Sequence, residues 1–273
     1  MGTIAVSALI LCVCGLLAGA ALALASRAFA VQMDPRIEKI EAVLPGANCS
    51  GCGSPSCFVY ASRIVNEGAS PNLCVQLRGE AAEEIGRLLG REVTLRERQV
   101  AVVKCYGGPV SKKLFSYGGF QSCRVAAYYS GGGNACEYNC MTLGDCFQVC
   151  QFGAITHTRG LTPRIDPKMC TGCGRCVREC PRNIIRLVPV SARAHVACSS
   201  RDKGSVVRSI CPVGCISCLK CVNACPQQAI ELKNGLIEID YAKCTACGEC
   251  LRTCPRGIIV DLHPDPGGPE AVK

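Results

Sequence analysis

The first segment of the chain is apolar almost without interruption. Residues 2–26 carry no charged side chain, and the stretch from Ile4 to Ala25 consists mainly of Ile, Val, Leu, Ala and Gly. A run of this length can span the hydrocarbon core of a bilayer as one helix. Basic residues begin at Arg27 and none precedes the run, so the rest of the chain is expected on the cytoplasmic side of the membrane.

A cleaved signal peptide is the alternative explanation for this apolar run. The residues Ala23-Leu24-Ala25-Ser26 resemble a processing site. Against cleavage, no basic region precedes the run, and the run is longer than the apolar part of a usual signal peptide. We therefore predict a retained anchor over residues 1–30, in which Cys12 and Cys14 are small apolar side chains, with ligation of a group at membrane depth as the alternative.

Beyond the anchor, apolar positions recur with the periods of short helices and strands. Residues 34–44 predict a helix, with Asp34 as its N-cap and Ile37, Ile40 and Leu44 on one stripe. Later in the chain an apolar pair recurs four times at a similar place in a repeat, and each pair predicts the start of a short buried strand. These pairs are Ala154-Ile155, Ile184-Ile185, Ala229-Ile230 and Ile258-Ile259.

Cysteine dominates the chemistry of the remaining sequence. The chain has 26 cysteines among 273 residues and no tryptophan. One spacing occurs four times: C-x2-C-x2-C-x3-C-P begins at Cys170, Cys215 and Cys244, and a widened form, C-x3-C-x5-C-x3-C, begins at Cys136. Repeats of about 45 residues bury too little apolar surface to fold on that basis alone, so bound groups must contribute to folding.

The three regular copies match the ligand run of bacterial ferredoxins. In those proteins three cysteines hold one iron–sulfur cube and the fourth ligates the neighbouring cube. Zinc usually takes two C-x2-C pairs that stand a dozen or more residues apart, which would leave cysteines over. A disulfide framework does not require such repeated spacing. The pattern therefore favours [4Fe-4S] clusters.

The distances between runs indicate how the runs pair. The first and second runs are separated by 19 residues and the third and fourth by 18, whereas 34 residues separate the second from the third. We therefore predict two ferredoxin-like modules of two clusters each, at residues 136–190 and 215–261. By the ferredoxin pattern, the expected ligand sets are Cys136, Cys140, Cys146 and Cys180; Cys170, Cys173, Cys176 and Cys150; Cys215, Cys218, Cys221 and Cys254; and Cys244, Cys247, Cys250 and Cys225.

A separate group of four cysteines precedes these modules, in a domain predicted over residues 31–95. Its spacing, C-x2-C-x4-C-x16-C, differs from the ferredoxin run. Four cysteines within 26 residues of a cytoplasmic segment suggest a four-thiolate site, and zinc is the alternative to an iron–sulfur cluster here. The four are Cys49, Cys52, Cys57 and Cys74.

Four further cysteines are left over in the connecting segments 96–135 and 191–214. They could converge on an additional cluster or remain as buried thiols, and the expected cofactors are five [4Fe-4S] clusters with this set as a candidate sixth. Residues 262–273 are rich in Pro and Gly and predict a disordered tail. The leftover cysteines are Cys105, Cys123, Cys198 and Cys211.

The charge balance gives no support for nucleic-acid binding. The formal net charge is +9. That count treats cysteine as neutral, whereas an oxidised cubane with its four thiolates carries about −2, so six loaded sites would bring the protein to about −3. The sequence also shows no dinucleotide-binding fingerprint, no nucleophile–base pair and no carboxylate cluster, so we expect no bond-breaking active site and no nucleic-acid partner.

The order of these motifs resembles the B subunit of Rnf-type ion-translocating electron-transport complexes, in the long, cluster-rich form of anaerobes. The resemblance covers residue 1 to about 260 and rests on the anchor, Asn48-Cys49-Ser50-Gly51-Cys52-Gly53, Cys105-Tyr106-Gly107-Gly108 and the four runs. Gln151 in place of proline, and the widened first run, depart from the pattern. The predicted fold class is α+β: one transmembrane helix, a small four-cysteine domain and two tandem ferredoxin-like modules.

This resemblance implies an electron-transfer subunit of a complex that couples electron flow between ferredoxin and NAD to Na+ or H+ movement. It also implies soluble ferredoxin as donor, other subunits as partners, and a single-pass location in the cytoplasmic membrane with lipid around the helix. Two alternatives stay open. One is a polyferredoxin-type carrier or reductase with its own substrate at the extra cysteines, and the other is a zinc-binding scaffold.

Overall fold

The computed structural model describes residues 2–29 and 33–263. Its first element is a long helix, α1 (Gly2–Ala28), which has no acidic residue in its first turn and Arg27 in its last. Within Val6–Ala28, an 18-residue window has a mean hydropathy of 2.6, and none of that window is buried within the protein. By length and composition this helix could cross a bilayer.

Three helices form the N-terminal domain: α2 (Pro35–Val43), α3 (Cys57–Asn66) and α4 (Gly79–Leu89). The predicted N-cap is confirmed, because the Asp34 side chain accepts a hydrogen bond from the Arg36 amide at 2.9 Å. Ile40 and Ile85 are fully buried between the helices, and Tyr60 is 1% exposed. The hydroxyl of Tyr60 donates to the Ser70 carbonyl at 2.6 Å, so its polar end is satisfied inside the core.

The first ferredoxin module is larger than its cysteine runs indicate. A strand in the segment before the runs pairs antiparallel with the strand that ends the module, from Gln99 opposite Pro189 to Val103 opposite Ile185. A two-stranded hairpin lies between the two runs. In chain order, the elements are β1 (Gln99–Val103), α5 (Cys123–Tyr128), α6 (Asp145–Gln148), β2 (Ile155–Thr156), β3 (Arg164–Ile165), α7 (Arg175–Glu179) and β4 (Ile185–Pro189).

The second module repeats this plan. A strand from the segment before its runs pairs antiparallel with the strand that ends the module. Between the runs, a hairpin turns at Asn234 and Gly235, which have φ of 48° and 80° as a two-residue hairpin turn requires. The elements are β5 (Ala194–Val196), α8 (Gly204–Ile210), α9 (Lys220–Asn223), β6 (Ile230–Lys233), β7 (Leu236–Ile239), α10 (Glu249–Thr253) and β8 (Ile259–Asp261).

The four recurring apolar pairs are buried, and a strand begins at the second residue of each, as predicted. All of these residues except Ala229 belong to two small cores, one in each module. Most of the predicted disordered tail, from residue 264 on, lies outside the described residues. Its first two residues are held by the fold: the Leu262 amide donates to the Arg193 carbonyl at 2.6 Å, and His263 Nε2 lies 2.7 Å from the Val190 carbonyl oxygen.

Candidate metal centres

Four cysteines of the N-terminal domain line one cavity, which we call site A. Cys57 is the first residue of α3, and the N-cap Ser56 Oγ accepts a hydrogen bond from the Val59 amide at 3.1 Å. Asn48 Oδ1 accepts a hydrogen bond from the Cys57 amide at 2.8 Å, which fixes the preceding loop against the start of the helix. Site A comprises Cys49, Cys52, Cys57 and Cys74.

Two cavities in the second module each take three cysteines from one run and one from the other. Helix α9 carries Cys221, and Cys225 follows it; helix α10 carries Cys250, and Cys254 follows it. Each helix therefore serves both cavities, which is the exchange that the ferredoxin pattern predicts. Site E comprises Cys215, Cys218, Cys221 and Cys254, and site F comprises Cys225, Cys244, Cys247 and Cys250.

The first module brings together one set that the ferredoxin pattern predicts, with three cysteines from its second run and one from its first. Burial raises the pKa of Cys176 to about 12, and the adjacent thiols of Cys170, Cys173 and Cys150 contribute to that rise. The Cys170 sulfur accepts a hydrogen bond from the Ala101 amide of β1 at 3.3 Å, so the added strand contributes to this site. Site B comprises Cys150, Cys170, Cys173 and Cys176.

The remaining eight cysteines are grouped differently from the expectation. The sequence pattern kept Cys136 with its own run and left Cys123 among the four extra cysteines. In the structure, Cys123 lines the cavity of the first run, and Cys136 lines the cavity of the extra cysteines. Site C therefore comprises Cys123, Cys140, Cys146 and Cys180, and site D comprises Cys105, Cys136, Cys198 and Cys211.

Asp145 explains how Cys123 reaches site C. Its carboxylate accepts hydrogen bonds from Ser122 Oγ at 2.8 Å, from the Cys123 amide at 2.9 Å and from the Arg124 amide at 3.1 Å. These bonds hold the start of α5 against the residue that precedes Cys146. Asp145 was not among the residues singled out from the sequence. The one feature of the sequence that pointed to this region was the widened first run, which contains Asp145 and departs from the ferredoxin spacing.

Backbone hydrogen bonds draw Cys136 towards the other module. The Ala135 amide donates to the Lys112 carbonyl at 2.9 Å, and the Lys112 amide donates to the Ile210 carbonyl at 2.8 Å. The residue before Cys136 is thus tied through Lys112 to the residue before Cys211. Cys136 and Cys211 consequently meet in site D although 74 residues separate them in sequence.

The cavities fit a group larger than one ion. The empty space that sites A, C, D, E and F line, counted together with its opening to solvent, is between 320 and 410 Å³ for each site. Within residues 2–29 and 33–263, no three Cys, His, Asp or Glu side chains converge closely enough to hold a single metal ion. Four thiols that stand around a cavity suit a four-iron cube more than one tetrahedral zinc ion.

Burial is the main cause of the raised pKa values of the thiols in these cavities. It raises the pKa of Cys140 and Cys146 to about 12, and that of Cys136, Cys215 and Cys221 to about 11. A buried thiolate is costly unless positive charge lies beside it. Iron in the cavity would supply that charge, and ligation would release the thiol protons.

Three family models match parts of the chain. Residues 44–76, which contain site A, match the Fe-S cluster family model. Residues 163–186 match the 4Fe-4S binding domain, and residues 214–258 match the 4Fe-4S dicluster domain. The matches confirm iron–sulfur cluster binding and the predicted fold class, and they leave all four cysteines of site D, Cys105, Cys136, Cys198 and Cys211, outside every matched range.

Three curated relatives align with most of the chain. The B subunit of the Na+-translocating ferredoxin:NAD+ oxidoreductase complex of Acetobacterium woodii is 41% identical over 251 residues, covering 92% of this chain and 75% of the relative. The B subunit of the ion-translocating oxidoreductase complex of Methanosarcina acetivorans is 40% identical, covering 90% and 93%. The B subunit of the proton-translocating ferredoxin:NAD+ oxidoreductase complex of Clostridium ljungdahlii is 38% identical, covering 95% and 93%.

Proposed function

This chain belongs to the family of B subunits of ion-translocating ferredoxin:NAD oxidoreductase complexes, and we propose that it accepts single electrons from a soluble ferredoxin. The family confirms the function predicted from the sequence, an iron–sulfur electron-transfer subunit of such a complex, and it makes the other subunits partners of this chain. The protein is therefore part of a translocase, in which its own task is to relay electrons.

We propose that sites A to F each hold one [4Fe-4S] cluster. Together they use every cysteine of the chain except Cys12 and Cys14, which are exposed on α1. When bound, each cluster supplies a one-electron couple whose potential depends on cluster charge, hydrogen bonds to sulfur and solvent exposure. The thiolates of the chain hold these groups in fixed positions in the fold.

Backbone amides of the chain favour the charged form of several sulfurs. An amide that donates to a thiolate stabilises negative charge there, and such bonds are one of the determinants of cluster potential. In this fold the donors come from strand β1 and from residues within or shortly after the cysteine runs. The pairs are Ala101 to Cys170 at 3.3 Å, Cys140 to Cys105 at 3.3 Å, Cys215 to Cys198 at 3.4 Å and Ala229 to Cys225 at 3.3 Å.

Helix α1 provides the membrane association that the family implies. We propose that it crosses the cytoplasmic membrane once and leaves sites A to F on the cytoplasmic side. Large apolar side chains cover its surface, as lipid contact requires; Leu9, Leu16 and Leu22 are 66%, 74% and 72% exposed. The basic residue at its last turn, Arg27, follows the orientation rule for cytoplasmic ends.

The observation that carries the relay function is that four thiols, often from distant parts of the sequence, line one cavity in site after site. The test uses full-length protein purified without oxygen and reduced ferredoxin, with no small substrate present. Low-temperature electron paramagnetic resonance (EPR) should show reduced clusters. Clusters that stay oxidised with a competent ferredoxin would contradict the relay, and zinc without sulfide would support a scaffold instead.

A further inference from the structure

Site D lies where the two ferredoxin modules meet, and each side contributes a strand end to it. Cys105 follows β1, which belongs to the first module, and Cys198 follows β5, which belongs to the second. The two strand ends are joined directly, because the Tyr106 amide donates to the Ala197 carbonyl at 3.1 Å. The contact between the modules is therefore made at the ligand residues themselves.

Each module also forms a hydrogen bond from a neighbouring site to a sulfur atom of site D. The Cys140 amide donates to the Cys105 sulfur at 3.3 Å, and the Cys215 amide donates to the Cys198 sulfur at 3.4 Å. Cys140 lines site C and Cys215 lines site E. Site D is thus one hydrogen bond away from a ligand residue of each module.

Site D is also the one site of the six in which all four cysteines are buried. Its four cysteines are only 6–8% exposed, whereas site E contains the exposed Cys218 and site F the exposed Cys247. The backbone closes over site D at Gly107, where a Cβ atom would lie 2.5 Å from the Cys211 sulfur. A soluble substrate has little access to thiols that are buried to this degree, whereas neighbouring sites are in contact with them. This burial argues against a reductase centre at site D.

Contacts elsewhere place the other sites in sequence on either side of site D. Within each module, two short helices carry or directly precede cysteines of both sites, which makes site B adjacent to site C and site E adjacent to site F. Site A adjoins site B, because a Cβ at Gly51, between two site A cysteines, would lie 3.3 Å from the Cys173 Cα atom. The order of contact is F, E, D, C, B and A.

We propose that site D is the junction that carries electrons between the two ferredoxin modules, so that the six sites form one continuous series from F to A. This inference rests on the proposed relay function. Each transfer oxidises one site and reduces the next by one electron, and no bond is made or broken. The exposed cysteines of sites E and F place the contact with the donor at the second module, and site A lies at the end nearest the membrane helix in sequence.

The experiment compares the full-length protein with C198A, which removes one ligand of site D. Cys12→Ala, in the membrane helix, is the matched cysteine control. A third variant, C74A, identifies the EPR signal of site A by difference from the unaltered protein. Each protein is mixed anaerobically with reduced ferredoxin and freeze-quenched, and its iron content is measured.

The C198A variant should lose about four iron atoms per chain and keep the signals of the other sites. Its second module should be reduced at the unaltered rate. Reduction of site A should slow by more than about tenfold, equivalent to about 1.4 kcal/mol in activation free energy. The C12A control should match the unaltered protein in all three measurements.

Reduction of site A at the unaltered rate in C198A would overturn the junction while leaving the relay function intact. If ferredoxin reduces no site in the unaltered protein, the proposed function itself fails, so the two failures are distinguishable. Should C198A lose iron from several sites, C211S replaces it, since a serine oxygen nearly preserves the side-chain volume. In C211S, an altered EPR signal of one site, together with slower reduction of site A, would support the junction, and an unchanged rate would contradict it.

Discussion

The N-terminal domain and the two ferredoxin modules enclose the same kind of cavity but are stabilised differently. The N-terminal domain has an apolar core between three helices, and among its described residues no cysteine belongs to the fully buried set. In the modules the cysteines are themselves core residues. Cys105, Cys140, Cys170 and Cys176 lie in the buried core of the first module, and Cys198, Cys221 and Cys250 in that of the second.

This difference separates two ways of making a cluster site. In the N-terminal domain, helix packing can order the loop around site A before any cluster is present. In the modules, buried thiols are part of the core and fill the space between its apolar side chains. Their folding free energy must therefore come largely from metal ligation, as in other small metal-dependent domains.

Removal of iron should give the largest contrast between the two regions. Anaerobic chelation of the full-length protein should unfold both modules, because ligation of a structural metal site contributes on the order of 10 kcal/mol. Hydrogen exchange should become fast in β1, β4, β6 and β7 and stay slow in α2 and α3. Simultaneous unfolding of the N-terminal domain and both modules would contradict this prediction, because it would show that the N-terminal core is not stable without its cluster.

A cavity in the N-terminal core should have a smaller and strictly local effect. Ile40 is fully buried, and Ile40→Ala should cost about 2–5 kcal/mol of that domain's stability. Hydrogen exchange of α2 to α4 should accelerate while the EPR signals of the modules stay unchanged. Leu232→Ala, at a position that is 42% exposed on β6, is the control and should change neither. Loss of module signals in Ile40→Ala would contradict independent cores.

The sequence could predict what depends on local spacing. The positions of ligands a few residues apart around a short helix, such as Cys221 and Cys225, are fixed by the geometry of that helix. The spacing within the runs and between them therefore predicted which runs pair. The exchange of Cys123 and Cys136 was not, because it depends on contacts between distant residues. Asp145 reaches back to the start of α5, and Lys112 ties the segment before Cys136 to the second module.

The same limit applied to the strands outside the cysteine runs. Residues 99–105 and 194–198 are both largely apolar stretches that end in cysteine, but an apolar pattern does not identify the strand with which such a stretch pairs. Pairing with β4 and β8 places both strands inside the modules and brings Cys105 and Cys198 together. Site D therefore depends on the pairing of strands that are distant in sequence, which the sequence alone did not predict.

The smallest expected effect concerns how Cys123 is held. Asp145→Ala leaves two amides and the Ser122 hydroxyl without their acceptor, which should cost about 1–3 kcal/mol. We expect weaker iron retention at site C alone, measured as iron lost during timed chelation. Asp166→Ala is the control, because the side chain of Asp166 accepts only a local bond, from the Lys168 amide at 2.8 Å. Equal iron loss in both variants would contradict the role of Asp145 in holding Cys123 at site C.

The most direct test of six clusters on one chain is the number of iron and acid-labile sulfide atoms in protein purified without oxygen. Six sites of four irons each predict about 24 iron and about 24 sulfide atoms per chain, with EPR signals that disappear on oxidation. About 20 of each would contradict six clusters on one chain. Colourless protein that contains zinc and no labile sulfide would contradict the relay altogether.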